Sequence, residues 1–320
     1  MRVSSDALRI SSPNTSASGL PYRVFHIDSY LADEIDRALC REFPTEILLR
    51  QIGDRLALNI DLVSDSDELH SFLKNSEVWR SYLAAWRSGD QLRSLINSFY
   101  PELRARHIIP WRIFLARRLK RYGNLEITVL LSIYRRGFYL APHSDDRHKL
   151  ISLIHYLPVD EARSNGRGGT IFYTPRPNTR RRHLRQYSQW SRGIRKYFPI
   201  WLSPLVEASL KRRYLATDPI DAAEKATFDE RFEQALDVEY RKNRICGFIK
   251  NDWSMHAVDL TEFPTDEIRR AVLINVRMRP SRMTKAVDRI EAVAAQLKRM
   301  TLRPLRRRPQ PTSPEIRRPE

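Results

Sequence analysis

The chain has 320 residues, 42% of them hydrophobic and 10% aromatic, and a formal net charge of +18. That length accommodates one large domain or two small ones. Its two cysteines, Cys40 and Cys246, lie in no CxxC pair, which excludes a disulfide framework or thiolate zinc site and fits a reducing cytoplasm.

Residues 1–20 are Ser-rich, aperiodic and without an apolar leader segment, so they are expected to be a disordered lead-in rather than a secretory signal. No run of eighteen apolar residues occurs, so no transmembrane segment is expected. From Tyr22 to Phe43, YRVFHID reads as a short strand followed by a helix, with Asp28 or Ser29 as its cap. Apolar steps of three and four from Glu68 to Tyr100 predict that this segment is helical too, so that two or three helices precede the motif region.

The pattern changes near Leu125. LEITVLLSIYRRG, KLISLIHYLP and GGTIFYTP read as strands, and RICGFIKN, MHAVDL and RRAVLINVRM follow after an interruption. Short strands separated by turn residues predict an antiparallel sandwich or barrel. The interruption, about 177–241, has a different composition. Aromatic and aliphatic residues from Leu184 to Leu205 alternate with arginines, as in a basic amphipathic helix, and a second helix is expected from Asp221 to Tyr240. A last helix is expected over 283–300, before a basic Pro- and Arg-rich tail at 301–320.

Arg176 to Lys196 carries eight basic residues and no acid. Such a patch suits an anionic membrane surface or polymer, with Arg180 to Lys196 as the contact. No sequence-specific nucleic-acid motif accompanies it.

The chemistry concentrates in YRRGFYLAPHSD. On a strand, His143 and Asp145 leave by the same face. A third ligand from a distant strand, such as His256 in NDWSMHAV, would complete two histidines and one carboxylate on a metal. That set leaves coordination positions open and suits non-haem Fe(II) chemistry. Asp146 is a second carboxylate, but period-two geometry favours Asp145. His107, His148, His155 and His183 have no supporting context and are read as structural.

In order, YRRGFYLAPHSD, LISLIHYLP, GGTIFY, CGFIKNDWSMHAV and RRAVLINV resemble the core of the Fe(II)/2-oxoglutarate-dependent dioxygenases, in particular the prolyl-4-hydroxylase-like branch. The resemblance covers about 125–278, and FHIDSYLADEIDRAL is similar to the family's opening. It implies a mainly β double-stranded β-helix, or jelly roll, over 21–282, flanked by helices and carrying the insertion.

It also implies His143, Asp145 and His256 as iron ligands, with 2-oxoglutarate and O2 as co-substrates and ascorbate as an admissible accessory. Arg269 or Arg270 would take the far carboxylate of 2-oxoglutarate. The resemblance favours Arg269, because Arg269-Arg270-Ala271 aligns best with the family's motif of an arginine two residues before a small residue; Arg269 then shares a face with Ala271, Leu273 and Asn275, and Arg270 lies on the opposite one. Tyr134 and Tyr156 are candidate co-substrate contacts. The implied activity is hydroxylation of a substrate that the sequence does not specify, with release of succinate and CO2. The competing reading is a non-catalytic jelly-roll module that binds anionic membrane or polymer through its basic aromatic helix.

Overall fold

The computed structural model describes residues 2–4, 6–8, 10, 19–44, 50–52, 55–59, 67–105, 125–145, 149–160, 162, 165–180, 222–251 and 253–278. The chain divides into two units, and all described residues belong to the first, Met1–Ile194 with Leu210–Arg279. The expected basic amphipathic helix, the last helix and the tail lie outside the described residues.

Eight consecutive strands form the centre: β4 (Leu125–Tyr134), β5 (Tyr139–Ser144), β6 (Lys149–Tyr156), β7 (Gly166–Pro175), β8 (Phe232–Tyr240), β9 (Arg244–Ile249), β10 (Met255–Asp259) and β11 (Arg269–Met278). They divide between two antiparallel sheets. β9, β6, β11 and β4 are neighbours in the larger, and β5, β10, β7 and β8 make the smaller. The chain changes sheet at every step except β7 to β8. This is the double-stranded β-helix. The larger sheet is extended to seven strands by β1 (Val24–Ile27) beside β9, and by β3 (Arg55–Asn59) and β2 (Arg50–Ile52) beyond β4.

The strands β1, β4, β6, β9 and β11 of the larger sheet each serve two cores, because successive side chains leave on opposite faces. Tyr134, Ile154, Tyr156, Cys246, Phe248 and Ala271 point between the sheets. Leu131, Ile133, Leu153, Ile245, Val272 and Ile274 point to the other side, where the helices pack. Gly247 lets the layers meet: a Cβ there would stand 2.4 Å from the Phe25 ring and 2.6 Å from Leu153.

The helices are α1 (Asp33–Arg41), α2 (Asp67–Asn75), α3 (Glu77–Trp86), α4 (Gly89–Ser98) and α5 (Tyr100–Ala105), with α6 (Ala222–Asp229) before β8. Ser76 and Ser88 cap α3 and α4 by accepting the backbone N–H of Trp79 and Gln91. Trp79, Tyr82 and Trp86 of α3 are fully buried against the sheet.

Three expectations need correction. The cap of α1 is Ala32, without a side-chain hydrogen bond; Ser29 instead has φ +51° in the preceding turn, and Asp28 pairs with Arg244. In 1–20, Val3, Leu8 and Ile10 are buried rather than disordered. The Leu8 carbonyl accepts from Tyr30 and Gln91, and the Ile10 carbonyl from Ser98. The helix expected from Asp221 to Tyr240 stops at Asp229, and Phe232–Tyr240 is a strand paired with β7. Leu236, Val238 and Tyr240 recur every second residue and face inward, whereas Glu233, Asp237 and Glu239 are exposed. The acidic composition hid that period of two.

Candidate metal centre

β5 and β10 pair antiparallel, with His143 directly opposite His256. Their rings are 4.4 Å apart. Asp145 follows the end of β5, where the chain leaves the smaller sheet for the larger, and its Oδ2 is 3.9 Å from His256 Nε2. One ligand atom from each of the three residues lies within 4.8 Å of the others, and all three residues are buried. The grouping can hold a metal ion.

Backbone carbonyls fix which ring nitrogens face the centre. His143 Nδ1 donates to the Ala141 carbonyl at 2.9 Å, and His256 Nδ1 donates to the Ser254 carbonyl at 3.1 Å. A carbonyl only accepts, so Nδ1 carries the proton and Nε2 keeps its lone pair for a metal. Burial lowers both imidazole pKa values, and the neighbouring His143 helps push His256 down to about 3. Burial alone would raise Asp145. The Lys149 ammonium and the two imidazoles outweigh it and hold the carboxyl below the usual range. Two neutral imidazoles and one carboxylate are therefore ready as donors near neutral pH.

Asp145 is held at both oxygens. Lys149 Nζ donates to Oδ1 at 2.8 Å, and the Ser152 hydroxyl donates to Oδ2 at 2.9 Å. Ser152 is also 3.2 Å from the Asn275 amide oxygen. A hydroxyl has one proton, so with Asp145 served, the Asn275 amide turned to offer its NH2 completes the chain. Ser144, between the two ligands, accepts a hydrogen bond from buried Lys250, which also donates to the Asn251 carbonyl at 2.7 Å.

The two arginines of β11 part company. Arg269 is 1% exposed and lies on the inward face. Its guanidinium carbon is 5.1, 5.3 and 5.6 Å from the ring centroids of Tyr134, Tyr156 and Tyr240, and its Nε donates to the Gly168 carbonyl. No carboxylate among the described residues pairs with it. Arg270 lies over the Phe43 ring on the helix side and donates to the Cys40 carbonyl at 3.3 Å. The Tyr156 hydroxyl shares a 2.7 Å hydrogen bond with Thr170. Tyr134 and Tyr156 thus frame Arg269 with their rings.

No family model and no curated protein matches the sequence. Among solved structures, the chain is similar to a prolyl-4-hydroxylase from Pseudomonas putida, with 13% identity over 81% of this chain and 94% of that one, at a TM-score of 0.36. It is similar to a prolyl hydroxylase from Trichoplax adhaerens, solved with a peptide of hypoxia inducible factor, with 12% identity over 86% and 89% and a TM-score of 0.39. A third is the Fe(II)/α-ketoglutarate-dependent dioxygenase TqaL, with 10% identity over 81% and 83% and a TM-score of 0.40. Similarities at that level are too distant to assign chemistry, which rests here on the donors and on Arg269.

Several residues of the site escaped the sequence reading. Lys149, Ser152 and Asn275 support Asp145, and Tyr240 completes the rings around Arg269. Ser132, on β4 opposite Ala271, is buried with a hydroxyl that has no hydrogen-bond partner among the described residues. A signal existed for three of them. Ser132, Ser152 and Asn275 are polar residues inside otherwise apolar strands, in phase with Tyr134, Tyr156 and Arg269 respectively. Lys149 and Tyr240 carried no such mark.

Proposed function

We propose that the protein is an Fe(II)- and 2-oxoglutarate-dependent oxygenase that hydroxylates a substrate with release of succinate and CO2. The observation that supports it best is that the facing inner sides of the two sheets carry a buried two-histidine, one-carboxylate donor set and a buried guanidinium without a carboxylate partner among the described residues. An unpaired buried charge is costly, so Arg269 calls for an anion. A dicarboxylate with one end at Arg269 and the other at the metal donors satisfies both.

His143, Asp145 and His256 would hold Fe(II) and leave coordination positions open. Fe(II) bound there supplies O2 activation coupled to oxidative decarboxylation of the co-substrate. The chain does the rest. Ala141 and Ser254 aim the imidazoles through their carbonyls, Lys149 and Ser152 orient the carboxylate, and Arg269 anchors the far end of 2-oxoglutarate. The Tyr134 ring lies beside that anchor, and Ser132, two residues earlier on the same face of β4, has a hydroxyl without a hydrogen-bond partner among the described residues. Phe248 and Phe172, with ring centroids 4.6 and 6.3 Å from His256, keep its side of the centre dry. Cys40 and Cys246 are both free, which suits a reducing cytoplasm where Fe(II) persists.

The test is calorimetric titration of 2-oxoglutarate into Mn(II)-loaded protein, followed by succinate release with Fe(II) and O2. Binding and turnover are expected for the native chain and neither for a folded His143→Ala variant. A native protein that binds neither Mn(II) nor 2-oxoglutarate overturns the proposal.

A further inference from the structure

Behind the larger sheet, where the helices pack, stands a set of side chains that the oxygenase chemistry proposed above does not use. Asp36 of α1, Tyr82 of α3 and His155 of β6 are each fully buried. The Tyr82 hydroxyl is 3.0 Å from His155 Nδ1, and Asp36 Oδ1 is 3.7 Å from His155 Nε2. A carboxylate only accepts, so it favours the tautomer with the proton on Nε2. Nδ1 then keeps its lone pair, and the Tyr82 hydroxyl donates to it.

Tyr82 therefore faces a base. Among the other buried tyrosines, the hydroxyls of Tyr22, Tyr30 and Tyr240 donate to backbone carbonyls, and that of Tyr156 is bonded to Thr170. Carbonyls and hydroxyls do not take up a proton near neutral pH. The Arg269 guanidinium beside Tyr134, Tyr156 and Tyr240 also opposes withdrawal of an electron from those three rings. Trp79 and Trp86 flank Tyr82 edge-on, with ring centroids 5.7 and 6.3 Å away, and both are fully buried. The indoles extend an electron-rich row along α3 and shut water out.

Resting on the function proposed above, we propose that Tyr82 is a redox-active tyrosine that draws oxidising equivalents away from the metal centre when O2 is activated with no substrate in place. Tyr82 gives up one electron, its O–H bond breaks, and the proton passes to His155 Nδ1. The products are a neutral phenoxyl radical and an imidazolium whose charge Asp36 stabilises. The oxidant is the iron, which gains the electron and falls by one oxidation level. The strand that joins the two places is β6: Ser152, bonded to Asp145, and His155 are three residues apart on it, about 10 Å.

The experiment mixes full-length protein, Fe(II) and 2-oxoglutarate with O2 in the absence of any substrate and freezes samples at intervals for EPR. A tyrosyl radical is expected, and its spectrum should narrow when the protein carries ring-deuterated tyrosine. At high field its largest g value should be lowered, because a cationic hydrogen-bond donor stands at the phenoxyl oxygen. Both signatures are read on the native chain and do not depend on how a variant folds. Tyr82→Phe should lose the radical while still binding Mn(II), and Tyr30→Phe, whose hydroxyl meets only the Leu8 carbonyl, should keep it. Consumption of O2 that depends on 2-oxoglutarate, without a radical or with one that survives in Tyr82→Phe, overturns this inference alone. Absence of such consumption overturns the proposed function and this inference with it.

Discussion

His256 is buried among His143, Phe248 and Phe172, and its pKa falls from the ordinary 6.5 to about 3. His143 moves in the same direction. As pH drops below 6.5, the unfolded chain takes up protons on these histidines and the folded chain does not. Stability of the metal-free protein therefore falls on acidification from about 6.5 toward 3, by up to roughly 1.4 kcal/mol per pH unit through His256, and His143 adds to the fall in the same direction. Urea midpoints measured in chelator at pH 7.5, 6 and 5 should decline, and His256→Leu should flatten the slope; a midpoint that is level across that range contradicts the burial described. The arginine pair gives a second expectation at the same scale. Arg269→Gln should abolish 2-oxoglutarate binding, and Arg270→Gln should spare it, because Arg270 points to Phe43 and Cys40 instead. Titration of 2-oxoglutarate into each Mn(II)-loaded variant checks this.

Pairing within the smaller sheet depends on close backbone approach. A Cβ on Gly169 would meet the Val238 carbonyl oxygen at 1.9 Å, and backbone cannot give way as a side chain can. Gly169→Ala should therefore cost about 1–3 kcal/mol or more, read as a lowered urea midpoint. An unchanged midpoint would mean that β7 and β8 are not paired there. Strands with strong β-branched runs, such as LEITVLLSIY and RRAVLINVRM, were legible in the sequence because two-sided burial demands continuous apolar residues. β8 was not, because it is an edge strand with an acidic outer face. β2 and β3 were also missed, since both are short and neither has a long apolar run, and β2 is the edge strand of the larger sheet.

Across the whole molecule, one sheet separates two chemistries. On the inner face of β6, Ser152 and Tyr156 serve the candidate site; on the outer face, His155 is fully buried under the helices. Its Nδ1 is 3.0 Å from the Tyr82 hydroxyl, and its Nε2 is 3.7 Å from Asp36 Oδ1. Tyr82→Phe would strip a buried ring nitrogen of its partner at a cost of about 1–3 kcal/mol. Because Tyr82 lies behind the sheet, Mn(II) and 2-oxoglutarate affinities should be unchanged at temperatures where the variant is folded. Thermal melts and the same titrations check both parts, and a large loss of metal affinity would show that the helix layer shapes the donors.

By itself, the amino-acid order determined the local facts. His143 and Asp145 share a face because strands repeat every two residues, apolar runs mark buried strands, and Arg269 falls in phase with Asn275. Only the tertiary structure decided that His256, 113 residues beyond His143 in the chain, stands opposite it. It also decided that Lys149 and Ser152 grip Asp145, and which face of β11 turns toward the donors and which toward Phe43. Periodicity acts along one strand, whereas ligand geometry depends on register between strands, and register is set by the packing of both sheets at once.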